Sequence, residues 1–157
     1  MILRFVFTCW LLFLPLVARA EVIHPAKLED CLEAPEVSKA ASADLRMNPY
    51  YLRGDFDADH KPDFAVIVMG SKTKKSGVLF CLASGRRVIL GGDGATSEEP
   101  LVAPNWEVAT VDEILGFRKV NGQIPVPKGE SILMVWEDGM HYIYWDGAKF
   151  CVSPTIQ

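Results

Sequence analysis

The C-terminal part of the chain contains three apolar segments separated by two Asp-Gly pairs, and this pattern restricts the fold more than any other feature. An Asp-Gly pair between alternating apolar segments is a strong short-range signal for a β-hairpin with a two-residue turn. The pattern therefore predicts a three-stranded antiparallel meander. Its strands are residues 131–137, 140–145 and 148–152, with turns at Asp138-Gly139 and Asp146-Gly147. Tight turns would place Trp136 opposite His141 and Ile143 opposite Phe150.

Alternation along these strands predicts two faces with different surroundings. One is a core face that carries Ile132, Met134, Trp136, Ile143, Trp145, Ala148, Phe150 and Val152. His141 is the polar residue on this face, and we interpret it as an edge residue or a hydrogen-bonded core histidine rather than a ligand.

The opposite face of the meander is too apolar to meet water without a covering. It carries Leu133, Val135, Met140, Tyr142, Tyr144, Lys149 and Cys151. Two interpretations fit. The N-terminal helices cover it, which would bring Cys31 toward Cys151, or it is an interaction surface rich in tyrosine. The first is favoured because helices commonly cover one face of an antiparallel sheet.

The rest of the chain predicts helices first and strands afterwards. Apolar residues at helical spacing predict helical segments over 26–32 and 36–47, divided at Pro35. Apolar and β-branched runs predict strands over 64–69, 78–83 and 86–90, and weaker patterns predict strands over 106–111 and 114–120. Together these elements predict an α+β fold, with N-terminal helix segments on a mostly antiparallel β-sheet that ends in the C-terminal meander.

An acidic loop precedes the first of these strands. Its carboxylates stand at loop positions 1, 3, 5 and 9 and belong to Asp55, Asp57, Asp59 and Asp63. The backbone carbonyl of Lys61 is available at position 7. This spacing lets a tight loop direct alternate oxygens at one centre, as a hard cation with about six to eight oxygen ligands requires. Neighbouring carboxylates repel one another unless they are neutralised, and Arg53 and Lys61 could do part of this.

The loop resembles the calcium loop of FG-GAP and VCBS-type repeats, in which D-x-D-x-D-G-x-x-D precedes a strand. The resemblance covers the loop and the following strand to Val68 and implies a Ca²⁺ ion held by the four aspartates and the Lys61 carbonyl. The loop differs from an EF-hand, because Val66 stands where the bidentate Glu belongs and a strand follows.

Two positions differ from the repeat pattern. Ala58 and His60 stand where such loops often have glycine, and His is enriched among the non-glycine residues that adopt positive φ, so the loop can still close. Ca²⁺ is favoured over Mg²⁺, because an all-protein carboxylate cage suits the larger ion. The alternative is a metal-free turn in which the Asp side chains cap their own backbone.

Residues 1–20 have the pattern of a secretory signal peptide, with Arg4, an apolar stretch over 5–17 and a small-x-small cleavage site at Ala18-Arg19-Ala20. We therefore expect a periplasmic or secreted protein in which residues 21–157 form a single globular domain. The remaining cysteines are Cys31, Cys81 and Cys151. In an oxidising compartment two of them are expected to form a disulfide, and the pairing is open.

The net charge and the sequence motifs restrict the classes of function that fit this chain. The full chain has a net charge of −4 and becomes more acidic when Arg4 and Arg19 leave with the signal peptide, so nucleic acid and anionic membranes are poor partners. The sequence has no G-x-S-x-G elbow and no zinc-ligand spacing among its histidines. The leading hypothesis is a non-catalytic calcium-binding protein with a structural ion and a protein-interaction surface. The alternatives are a metal-dependent hydrolase acting on cell-envelope material and a metal-free structural domain.

Overall fold

The computed structural model describes residues 25–94, 103, 105–121 and 125–156. The expected signal peptide, residues 1–20, lies outside this part of the chain. The described fold combines short helices with two antiparallel sheets and is α+β, as predicted. None of the helices in these ranges is long and apolar enough to cross a membrane.

The first sheet follows two short helices, α1 (Ala26–Leu32) and α2 (Pro35–Ala40). Its strands are β1 (Ala41–Ala43), β2 (Tyr51–Gly54), β3 (Asp63–Gly70), β4 (Ser76–Cys81) and β5 (Arg87–Gly91). All neighbouring strands are antiparallel. Both β1 and β2 pair with β3, β2 along its first half and β1 along its second, and the sheet continues through β4 to β5.

The second sheet contains four antiparallel strands in chain order. They are β6 (Asn105–Ala109), β7 (Ser131–Trp136), β8 (Gly139–Trp145) and β9 (Phe150–Val152). Helix α3 (Val111–Asn121) lies between β6 and β7 in the chain. Strands β7 to β9 form the predicted C-terminal meander.

The two sheets share a core, and helices cover their outer faces. The shared core includes Ile67 and Phe80 of the first sheet with Ile132 and Phe150 of the second. The rings of Phe80 and Phe150 are stacked, with centroids 3.9 Å apart. A second cluster joins α1 and α2 to the first sheet, and a third joins α3 to the second sheet. The layers are therefore helix, sheet, sheet and helix.

Strand β3 is apolar on both faces because both faces are covered. Ala65 and Ile67 belong to the core between the sheets, whereas Val66 and Val68 belong to the cluster under α1 and α2. A strand buried on both faces has a continuous apolar run instead of an alternating pattern. The continuous run over 64–69 in the sequence therefore correctly predicted a central strand.

Two of the predicted elements were wrong. The helix expected over 36–47 ends at Ala40, because Ala41–Ala43 extend and pair with the far end of β3. The strand expected over 114–120 is instead part of α3. The helix begins with a capping box, in which the Thr110 N–H donates to Glu113 Oε2 at 2.7 Å and the Glu113 N–H donates to Thr110 Oγ1 at 3.3 Å.

The meander has the predicted faces but a different register. Trp136 pairs with Gly139, and Ile143 pairs with Val152, so each hairpin is shifted by two residues from the expected pairing. The first turn consists of Glu137 and Asp138. The second turn is longer and consists of residues 146–149. It is held by Asp146 Oδ1, which accepts hydrogen bonds from the N–H groups of Ala148 and Lys149. A shift by two residues keeps every side chain on its face, since strand side chains alternate with period two.

The core face is confirmed at Ile132, Met134, Ile143, Trp145 and Phe150, which are buried between the sheets, with Trp136 and Val152 partly buried beside them. Ala148 is exposed because it belongs to the longer turn. His141 is a hydrogen-bonded histidine, as predicted. Its Nδ1 lies 2.9 Å from the Ser153 carbonyl and its Nε2 lies 3.1 Å from Thr155 Oγ1.

The covering of the opposite meander face was predicted wrongly. Helix α3 covers it, and Ile114 packs with Leu133 and Tyr142, while α1 and α2 cover the first sheet. As a result Cys31 does not approach Cys151. Cys31 on α1 forms a disulfide with Cys81 on β4, and Cys151 is a free cysteine.

Candidate metal centre

The acidic loop, residues 55–62, joins β2 to β3 at one end of the first sheet. Gly54 pairs directly with Asp63, so the two ends of the loop lie side by side. Within the loop, Phe56 is completely buried, and its ring meets Phe80 edge-on with centroids 5.6 Å apart. This apolar anchor holds the loop against the core between the sheets, and the carboxylates around it have little freedom to move apart.

Three of the predicted ligand residues lie together. Carboxylate oxygens of Asp55, Asp57 and Asp63 lie within 4.8 Å of one another, a grouping that could hold a metal ion. Asp59 is not part of this group. The group combines loop positions 1, 3 and 9, so the loop folds back on itself as the spacing predicted.

Asp63 is the most buried member of the group, with none of its surface exposed. Its Oδ2 accepts the Phe56 N–H at 2.9 Å, and its Oδ1 accepts the Ala83 N–H at 2.7 Å. Burial raises the pKa of Asp63 to about 6, and the charges of Asp57 and Asp59 also raise it, while the two N–H donors act in the opposite direction. A cation beside this carboxylate would favour its ionised form.

Asp57 has a buried oxygen with no partner. Its Oδ1 is inaccessible to solvent and accepts no hydrogen bond from the described residues. Burial raises the pKa of Asp57, and the neighbouring charges of Asp59 and Asp55 raise it further. The Asp59 N–H and, to a smaller extent, the Arg86 charge act in the opposite direction. An orphaned carboxylate oxygen is expensive in a protein interior unless a cation or water satisfies it. This atom is the strongest local sign that the loop is built for a ligand.

Asp55 shapes the turn of the loop. Its Oδ1 accepts the Asp59 N–H and its Oδ2 accepts the His60 N–H, each at 3.0 Å. Ala58 and His60 adopt the left-handed region with φ of 62° and 63°. The expectation that the loop closes with histidine in place of glycine is therefore confirmed. Left-handed backbone at a non-glycine residue costs on the order of 1 kcal/mol, which the surrounding contacts must offset.

The remaining predicted residues lie at the outer side of the loop. Asp59 Oδ1 accepts the Lys61 N–H at 2.8 Å, and its Oδ2 lies 3.4 Å from Lys61 Nζ. Lys61 therefore neutralises part of the charge, as predicted. Ligation by Asp59 and by the Lys61 carbonyl stays a prediction.

The sequence pattern did not indicate that two further residues, Glu130 and Arg86, act on the loop. Glu130 Oε2 accepts the Asp55 N–H at 2.7 Å, and the Glu130 N–H donates to the Asp55 carbonyl at 2.9 Å. The Arg86 guanidinium lies 4.8 Å from the centre of the Trp145 ring and acts electrostatically on Asp57. Both residues come from distant parts of the chain, and no local pattern marks either of them.

An open cavity of about 420 Å³ lies beside the loop. Its lining includes Arg53, Asp55, His60, Lys61 and Glu130. The carboxylate group therefore lies next to a polar, solvent-accessible space, which Asp55 borders. Arg53, expected to neutralise the aspartates, is exposed and lines this cavity.

Comparison with protein-family models, with curated proteins and with solved structures found no match. The clustered side-chain donors are all carboxylate oxygens, a donor set that suits hard cations such as Ca²⁺, Mg²⁺ or Mn²⁺ and does not suit metals that prefer thiolate or imidazole ligands.

Proposed function

We propose that this chain is an exported, non-catalytic protein that binds one Ca²⁺ ion in the acidic loop, and that the ion has a structural role. The observation that carries the proposal is the buried Asp57 Oδ1, which has no partner among the described residues and stands in a group of three carboxylates within 4.8 Å. A bound cation would satisfy that oxygen and neutralise the repulsion between the carboxylates.

Ca²⁺ is proposed over Mg²⁺ because of the ligand supply. In this proposal Asp55, Asp57, Asp59, Asp63 and the Lys61 carbonyl provide the oxygens. Ca²⁺ accepts about six to eight oxygens in a flexible arrangement, whereas Mg²⁺ requires near-ideal octahedral geometry and retains several waters.

Export is supported by two independent features. The pattern of residues 1–20 is that of a signal peptide, and the Cys31–Cys81 disulfide is typical of proteins in oxidising compartments. In this proposal the ion fixes the entry into β3, and a protein surface elsewhere on the molecule carries the interaction function.

Calcium-dependent melting tests the proposal. The full chain is exported into an oxidising compartment, and the purified protein is heated with excess Ca²⁺ and with chelator. Ligand at about a hundred times its dissociation constant adds about 2.7 kcal/mol to stability if it binds only the folded state. We expect Asp57→Asn to abolish the calcium-dependent rise in melting temperature, because it removes the negative charge of the carboxylate that carries the buried, unpartnered oxygen.

Asp138→Asn is the matched control, since it makes the same change in an exposed turn. It should retain the full calcium effect. Equal melting temperatures of the wild-type protein in calcium and in chelator would contradict calcium binding and favour the metal-free structural domain.

The cavity beside the loop supports a second candidate, a metal-dependent hydrolase of cell-envelope material. A space of about 420 Å³ next to Asp55 is large enough for part of a substrate. This candidate predicts metal-dependent release of fragments from purified envelope polymers, with loss of turnover in Asp57→Asn. Calcium-dependent stabilisation without turnover would favour the non-catalytic proposal.

A further inference from the structure

We propose that Glu130 is a positioning residue for the acidic loop and that it couples cation binding in the first sheet to the docking of the second sheet. This inference rests on the proposed cation site. It goes beyond that site because Glu130 belongs to neither the loop nor the first sheet.

The contact between Glu130 and Asp55 is reciprocal. The Asp55 N–H donates to Glu130 Oε2 at 2.7 Å, and the Glu130 N–H donates to the Asp55 carbonyl at 2.9 Å. Asp55 follows β2 directly, and Glu130 directly precedes β7, an interior strand of the second sheet. The residue that follows β2 and the residue that precedes β7 are thus held together by one backbone hydrogen bond and one side-chain hydrogen bond.

Close backbone approach on both sides makes this contact specific. A Cβ at Gly54 would lie 2.7 Å from Glu130 Oε2. A Cβ at Gly129 would lie 2.5 Å from the Asp55 carbonyl oxygen and 3.0 Å from the Ala58 nitrogen. Glycine at both positions allows the two segments to approach within hydrogen-bonding distance.

The contact fixes the backbone of the first loop position. Asp55 in turn uses both carboxylate oxygens to hold the Asp59 and His60 N–H groups, so its orientation sets the path of the loop. Glu130 acts on the cation through Asp55 and not as a ligand. Removing a group that orients a metal ligand typically lowers the affinity for the metal by about 10- to 100-fold. Because coupling is reciprocal, cation binding should also strengthen the contact with the second sheet.

Isothermal titration with Ca²⁺ tests the affinity half of the inference. The full exported chain is compared with Glu130→Ala, Glu130→Gln and the control Glu107→Ala, which removes an exposed charge on β6. We expect Glu130→Ala to weaken calcium binding at least about tenfold. Glu130→Gln should stay within a few-fold of wild type, because its amide oxygen can still accept the Asp55 N–H, and Glu107→Ala should also match wild type.

Hydrogen exchange tests the coupling half. In the wild-type protein and in Glu107→Ala, calcium should slow exchange in peptides that contain residues 128–133 as well as in those from the loop. In Glu130→Ala, at calcium concentrations that saturate the variant, the slowing should remain in the loop and disappear from 128–133. A purely structural role of Glu130 would alter exchange in calcium and in chelator alike.

The calcium-binding results distinguish a failure of this inference from a failure of the proposed cation site. Glu130→Ala binding calcium as tightly as wild type would overturn the inference and leave the proposed function standing. Glu130→Gln weakened as much as Glu130→Ala would also overturn it, since the negative charge and not the accepted hydrogen bond would then matter. Absence of calcium binding by the wild-type protein would overturn the cation site and this inference together.

Discussion

At the scale of single residues, Asp63 combines complete burial of its carboxyl group with a raised pKa. Burial raises the pKa of its carboxyl to about 6 from an ordinary value of 3.8. Between these values the folded metal-free protein binds a proton that the unfolded chain releases. The free energy of unfolding therefore falls as the pH rises through this window, and it stays lower above it.

We predict that the metal-free wild-type protein loses stability between about pH 4 and pH 6, and that Asp63→Asn lacks this particular decrease. The measurement is urea unfolding in excess chelator across this range. The difference in slope between the two proteins reports the titration of Asp63 together with its charge coupling to Asp57 and Asp59. Parallel pH profiles would show that Asp63 does not titrate in this window.

At the scale of elements, α3 shows how a short polar motif can override an ambiguous apolar pattern. Residues 114–120 combine apolar residues with a central glycine and were predicted to form a strand. The Thr110-x-x-Glu113 capping box satisfies N–H groups at the start of the helix and defines where it begins. The motif was present in the sequence, so this error came from an overlooked signal.

Thr110→Ala should destabilise the protein by about 1 kcal/mol, because it removes the side-chain acceptor at the helix N-terminus. Thr110→Ser keeps the hydroxyl and should restore most of the loss. Urea unfolding monitored by tryptophan fluorescence gives both values. An unchanged midpoint for Thr110→Ala would indicate that the packing of Ile114 and Phe117 is sufficient to hold the helix on the second sheet.

At the scale of the whole molecule, the Cys31–Cys81 disulfide ties α1 in the outer helix layer to the end of β4, an interior strand of the first sheet. The two cysteines are separated by 50 residues, and the enclosed segment contains the acidic loop, β2 and β3. A bridge across a long segment restricts the unfolded chain substantially. Cys81 is also close in the chain to Ala83, whose N–H holds Asp63.

Replacing both bridged cysteines with alanine should lower the free energy of unfolding by about 2 to 5 kcal/mol. The free cysteine provides the matched control, since Cys151→Ala leaves the bridge in place and should change stability by less than about 0.5 kcal/mol. Chemical unfolding in chelator measures the loss without any contribution from a bound cation. Equal stability of the double variant and the wild-type protein would contradict a stabilising role of the bridge.

Several features of this protein follow from local spacing along the chain and could be predicted without the structure. Alternation with period two assigned the core face of the meander correctly even though both hairpin registers were off by two residues, because such a shift moves no side chain to the other face. The positions of Asp55, Asp57 and Asp63 likewise predicted that their carboxylates meet. A short loop between paired strand ends leaves them few other arrangements.

Contacts between surfaces that are distant in the chain depend on how the helices and sheets pack, and local spacing did not predict them. The α2 sequence suits a longer helix, yet Ala41–Ala43 extend because the edge of β3 offers backbone hydrogen bonds there. Cys31 pairs with Cys81 because α1 and α2 cover the first sheet and not the second. The contact of Glu130 with Asp55 spans two sheets, and such contacts follow from the packing of distant surfaces, which local spacing does not encode.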